Sequence, residues 1–238
     1  MKKIIILSIA MIIGASFQSI RAQKSIYTST GGEMIFQMSE LDHNGDVPTN
    51  LRWTVFLHLG SYVHMDFTDN IGVYSGLALR NVGFITNEVD LDSNLPVKTI
   101  RRTYNLGIPL AIKLGSFDNQ FYVFGGGEYE WLFHYKEKSW VDGDGSRSGT
   151  KIKYSDWFSQ RVNALMPSLF VGLQFPGGFN VKFKYYMKNY MNQDYTHATN
   201  GKIYSDFDVK LYYISLSWNI KNKSIKSTFD EGIHLSSR

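Results

Sequence analysis

The chain has no cysteine in its 238 residues. This excludes disulfides, thiolate metal centres and an N-terminal lipid-modified cysteine. Proline is scarce, at 5 residues. Beyond the N-terminus there is no run of about 18 apolar residues, so no transmembrane helix is expected. Few stretches keep a 3.6-residue apolar period, so a helical bundle is excluded as well. A real charge excess is also lacking. Lys2, Lys3 and Arg21 lie in a leader-like segment, and taking them from the 25 Lys+Arg leaves 22 against 21 Asp+Glu. The apparent basicity therefore gives no support for nucleic-acid binding.

The first 22 residues have the three parts of a secretory signal: a basic start, an apolar run over 4–17, and a small residue, Ala22, at the cut. The apolar run is too short for a membrane anchor. The expected organisation is a cleaved signal over 1–22, one domain over 23–220, and a polar tail over 221–238.

Alternation is what the rest of the chain has in quantity. In "LRWTVFLHLGSYVHMDF" (51–67), Leu51, Trp53, Val55, Leu57, Leu59, Val63, Met65 and Phe67 share one face, while Arg52, His58 and His64 lie on the other. A period of two means a β-strand with one apolar face. The pattern recurs over 32–38, 71–83, 100–114, 121–135, 162–175, 179–191 and 207–220. Eight strands are predicted.

Over 207–220 the odd residues Phe207, Val209, Leu211 and Tyr213 give way to even ones from Tyr212 to Ile220. Either a bulge lies near Tyr212, or the upper part projects beyond the apolar layer. Connections alternate in length. "TDN" (68–70), "SFDNQ" (116–120) and "PGG" (176–178) are short turns, whereas 39–50, 84–99, 136–157 and 192–205 are long polar stretches. A transmembrane barrel has short turns at one end and long loops at the other. Seventeen residues at about 3.3 Å each span roughly 56 Å, or about 40 Å of height at a 45° tilt, enough for a bilayer. The expected fold is an all-β, transmembrane, antiparallel up-and-down β-barrel. A secreted lipocalin-like barrel with the apolar face inward is the soluble alternative.

On this reading Leu51, Trp53, Val55, Leu57, Leu59, Leu106, Ile108, Leu110, Trp131, Leu169, Phe183 and Trp218 face lipid. Arg52, His58, His64, Arg80, Lys113, Glu128, Glu130, Lys182 and Lys184 face a polar interior that side chains fill. So many charges cannot sit in an apolar core without heavy desolvation cost.

The stretches "FTDNIGVYSGLALRNVGF" (67–84), "YNLGIPLAIKLG" (104–115) and "FVGLQFPGG" (170–178) resemble the porin-family, PorT-like outer-membrane barrels of the Bacteroidota. The resemblance covers about residues 30–220. It implies a small barrel of the OmpA/OmpX type in the outer membrane. It also implies insertion by the outer-membrane assembly machinery, which reads a final strand such as the one carrying Leu216 and Trp218. Outer-membrane lipid and lipopolysaccharide are the surroundings expected.

Chemistry-bearing constellations are sparse. His58 and His64 are roughly 20 Å apart along a strand, too far to share a metal. Glu128 and Glu130 are read as members of an ion network with Arg80, Lys113 or Lys182 rather than as a catalytic pair. His134 with Glu130 and Ser139 or Ser155 would suggest a lipid-modifying hydrolase, but no spacing sets a triad. Asp142-x-Asp144-x-Ser146 resembles a Ca²⁺ loop that lacks its closing Glu, since Lys153 stands there. No cofactor, catalytic residue or metal is assigned. The expected function is structural or binding, through the external loops; alternatives are a weakly anion-preferring porin and a lipid-modifying enzyme.

Overall fold

The computed structural model describes residues 25–89, 96–141, 146–198 and 201–224. The leader, Asp142, Asp144 and the tail beyond residue 224 lie outside them. Among the described residues twelve strands follow in chain order: β1 (Ser25–Asp42), β2 (Asp46–Val47), β3 (Thr49–Asn50), β4 (Arg52–Thr54), β5 (Leu59–Asp66), β6 (Ile71–Val89), β7 (Pro96–Ser116), β8 (Phe121–Val141), β9 (Thr150–Trp157), β10 (Leu165–Gln174), β11 (Phe179–Tyr186) and β12 (Asp208–Ser224). Each long strand pairs antiparallel with its neighbour in sequence, and β12 pairs back onto β1, which closes the ring. With β4–β5 and β9–β10 each serving as one wall position, the barrel has eight strands. Closure leaves no open edge in the wall.

The apolar faces point outward. Leu110 is 66% exposed and Trp218 60%, while Lys113, Glu130 and Lys184 inside are each 0% exposed. Aromatic side chains collect at two heights on the outside. Near the short turns Phe121, Phe175, Phe179 and Trp218 make successive ring contacts. Higher up, Trp131, Phe133, Trp157 and Phe158 do the same. Along β8 the two girdles are ten residues apart, Phe121 to Trp131, or about 23 Å of height at a 45° tilt. That matches the roughly 25 Å apolar band of a membrane barrel. The fold is an eight-stranded, transmembrane-type antiparallel β-barrel.

Several expectations need correction. Residues 51–67 do not form one strand. The chain leaves the ladder over 55–58, with Leu57 at φ 61°, and resumes at Leu59. Four residues between Thr54 and Leu59 face two between Gly32 and Ile35 on β1. The excess is two residues, an even number, so the alternation keeps its phase through the break.

At Phe133 the excess is one. Leu106 pairs with Trp131, but Tyr104 pairs with His134. This β-bulge reverses the faces above it. Tyr135 turns inward and is fully buried, whereas His134 turns outward and stacks on Trp157 at 4.0 Å. The reading that put His134 beside Glu130 is thereby overturned.

Much of the expected loop 136–157 is strand. β8 runs on to Val141 and pairs with β9, and β6 and β7 extend with it, so a four-strand sheet projects above the girdle. β12 carries no bulge near Tyr212: its register with β1 runs unbroken from Asp208 to Lys221, and the one shift lies below that, between the Ser29–Lys221 and Tyr27–Ser224 pairs. Val209, Leu211 and Tyr213 point into the barrel's upper interior, where Ile35, Val82, Phe84, Tyr186 and Tyr190 make an apolar core. The interior is thus polar at mid-height and apolar above, not polar throughout. β12 also continues four residues past position 220.

Candidate functional site

The inward residues of β6 run Gly72, Tyr74, Ala78, Arg80, Val82, Phe84, and those of β8 run Tyr122, Phe124, Glu128, Glu130, Leu132, so the interior is layered. Nearest the short turns, Lys113 Nζ donates to Asp66 Oδ1 at 2.5 Å and to the Tyr27 hydroxyl at 3.1 Å. Tyr27 stacks on His64 at 4.7 Å, and His64 Nε2 hydrogen-bonds Ser29 Oγ at 2.8 Å. Tyr74, Phe124 and Phe170 form an aromatic layer above.

The next layer holds the charges. Arg80 reaches Glu33 through Nε at 3.0 Å, Glu130 Oε1 through Nη1 at 3.3 Å, and also Glu128. Lys184 donates to Glu128 Oε2 at 2.8 Å and to Glu130. Lys182 lies 2.7 Å from Glu33 Oε1. Tyr186 and Asn105 donate to Glu130 at 2.9 Å and 2.7 Å. Gly107 has no side chain where the Glu128 carboxylate sits. Three cations thus meet three carboxylates, fully surrounded, which is the arrangement that makes buried charge tolerable.

Of the residues placed inside by their sequence phase, Arg80, Glu128, Glu130, Lys182 and Lys184 share this layer. Lys113 and His64 sit below it. Arg52 and His58 sit above, beside the wall break. Arg52 bonds Gln37 Oε1 at 3.1 Å and Asn81 Oδ1 at 2.6 Å, and His58 Nε2 lies 3.3 Å from Thr54 Oγ1. Glu33 and Asp66 complete the pairing and were not singled out. Glu33 precedes Met34, Phe36 and Met38, so its phase marked it as inward, whereas nothing local marks it as the partner of Arg80 and Lys182. The twelve side chains assigned to lipid are all exposed on the outer surface.

His134 Nε2 lies 3.0 Å from Ser155 Oγ on the outer surface. Glu130, the acid once considered with it, is inside the wall, so these three residues make no triad. The ring of His134 is stacked on Trp157 and tilted against Tyr104. Among the described residues, no group of three His, Asp or Glu side chains could hold a metal ion.

No protein-family model matches the sequence, and no curated protein matches it. Among solved structures the chain is similar to Ail, the attachment invasion locus protein of Yersinia pestis, in complex with the heparin analogue sucrose octasulfate. The identity is 13% over 83% of this chain and 99% of that one, with a TM-score of 0.35. It is also similar to outer membrane protein OprG of Pseudomonas aeruginosa, at 13% identity over 85% and 99%, TM-score 0.38. Neisserial surface protein A matches at 9% identity over 84% and 99%, TM-score 0.38.

Proposed function

We propose that this chain is an exported outer-membrane barrel of the PorT-like, porin-family kind. It serves a structural or binding role through its upper face, with an interior that passes no solute. The observation that carries this reading is the pairing of two exposed aromatic girdles, about 23 Å apart, with a sealed interior. An apolar band of that height suits a bilayer, and lipid requires every backbone group of the wall to be paired, which ring closure supplies.

The porin alternative drew its anion preference from an excess of interior cations. With Glu33 included, the mid-height layer is balanced, and Arg80, Lys184 and Glu130 are packed without space between them. The leader, the final strand carrying Leu216 and Trp218, and the resemblance to PorT-like barrels support export and insertion by the outer-membrane assembly machinery.

Fractionation of cells tests the location: recovery in the outer membrane is expected, and recovery in soluble periplasm would sink the proposal. Planar-bilayer recording tests the sealed interior. No stable conductance step is expected, and a persistent open channel would reject the plugged interior while leaving the location standing.

A further inference from the structure

The wall break over 55–58 opens sideways into a cleft of about 690 Å³, within the roughly 300–1,000 Å³ range of small-molecule sites. Its cationic lining is Arg52, Arg102, Lys138, Arg147 and Lys151, and its lower rim carries Trp53 and Phe56. No carboxylate lines it among the described residues. Arg52 forms the buried back wall, tied to Gln37 and Asn81.

The cleft continues onto the outer face of the projecting sheet. Cross-strand partners share a face, so Arg102 lies beside Lys136, Lys138 beside Lys153, and Lys98 and Lys151 flank Trp140. None of these six cations has a carboxylate within ion-pair distance among the described residues. Partial burial and the crowding of Arg102, Lys151, Lys153 and Lys136 push the Lys138 ammonium below the usual lysine range. Like charges held together this way at a built cleft are complementary to a compact polyanion.

The height of the cleft selects the anion. Arg102 stands twelve residues above Leu114 on β7, about 40 Å of strand and about 28 Å of height at a 45° tilt. That is just above the roughly 25 Å apolar band. The exposed Leu51, Trp53 and Phe56 at the rim lead from lipid directly into the cationic pocket.

We infer that this cleft binds the phosphorylated sugar headgroup of an outer-leaflet glycolipid, with phosphomonoester oxygens on Arg102, Lys138 and Lys151 and the acyl chains lying below on Trp53 and Phe56. Guanidinium and ammonium groups are the usual partners of such oxygens. The inference rests on the membrane placement proposed above.

The test uses the chain refolded in detergent micelles and presented with bis-phosphorylated lipid A, fully dephosphorylated lipid A, or inorganic phosphate, with retention read by native mass spectrometry. The phosphorylated lipid should be retained at least tenfold more tightly than the dephosphorylated one. The variant Arg102→Glu/Lys138→Glu/Lys151→Glu should lose that preference at least tenfold, whereas Lys188→Glu/Lys210→Glu, at exposed cations elsewhere, should keep it. The glutamine version, Arg102→Gln/Lys138→Gln/Lys151→Gln, covers any folding defect of the charge reversal. Equal retention of the two lipids, or an undiminished preference in the triple variants, would overturn the site. Displacement of the lipid by an equal concentration of inorganic phosphate would assign the cleft to free phosphate instead. Insertion of the unaltered chain into phospholipid vesicles is scored separately: failure there counts against the membrane placement, and insertion without phosphate preference counts against the cleft alone.

Discussion

Arg52 donates to Asn81 across the break in the barrel wall, Nη2 to Oδ1 at 2.6 Å, and Nη1 reaches the Asn81 carbonyl at 3.1 Å. β4 has left β6 at this height, so the guanidinium takes the place of a missing ladder rung. Its third bond, to Gln37 Oε1, ties the same point to β1. Arg52→Ala should therefore cost about 1.5–3 kcal/mol, the range for hydrogen bonds to a charged group. Arg52→Lys should recover only part of this, because an ammonium lacks the planar fork. Denaturant unfolding of the refolded barrel measures both; a neutral Arg52→Ala would show that the break needs no tie.

Glu130 joins Arg80, Lys184, Tyr186 and Asn105 at zero exposure. Removing it leaves two buried cations short of a carboxylate, so Glu130→Ala should cost about 3–5 kcal/mol. The paired change Glu130→Gln/Lys184→Met should be less harmful than Glu130→Ala, since it removes one charge of each sign. If the double change is the worse of the two, the layer is not a balanced network.

Leu110 pairs with Gly127 and Ser75 at mid-height of the apolar band, whereas Leu57 sits in the break near its upper edge. Arginine on the lipid face costs about 2–4 kcal/mol at mid-depth and about 0–1 near an interface. Leu110→Arg should therefore impair folding into vesicles strongly and Leu57→Arg weakly. Leu57 carries a positive φ, and glycine there should be neutral or mildly favourable. His58→Ala removes only the contacts to Thr54 and to the Asn81 amide, and it should still fold. Folding yields by heat-modifiable gel mobility decide the order.

Deleting Phe133 alone should leave a folded barrel. It removes the one-residue excess, so Leu132 and Tyr135 stay inward and His134 outward in an unbroken ladder opposite Asn105 and Tyr104. Deleting Phe56 and Leu57 together should also leave a folded barrel, because losing two residues restores the ladder without changing parity. The same gel assay reads both, and loss of folding in either would refute the parity argument.

Alternation is a local property, and it set the barrel class, the strand count and the side each of Leu110, Trp131, Glu130 and Lys184 takes. A period of two survives any even insertion. Residues 51–67 therefore read as one strand although the chain leaves the ladder at Leu57. A single-residue insertion is equally silent in the sequence, since Trp131, Phe133 and Tyr135 continue an apolar alternation straight through the bulge. Only pairing with Leu106 and Tyr104 reveals that the faces reverse above Phe133, because register is a relation between strands. The same holds for charge. The phase of β1 makes Glu33 an inward carboxylate, but its place beside Arg80 and Lys182, across the closed ring, depends on which strands meet. The cationic cleft is the extreme case. Lys136 and Lys138 are two apart in the sequence, as are Lys151 and Lys153, yet only the projecting sheet and the wall break bring the two pairs together over the lipid edge with no acid between them among the described residues.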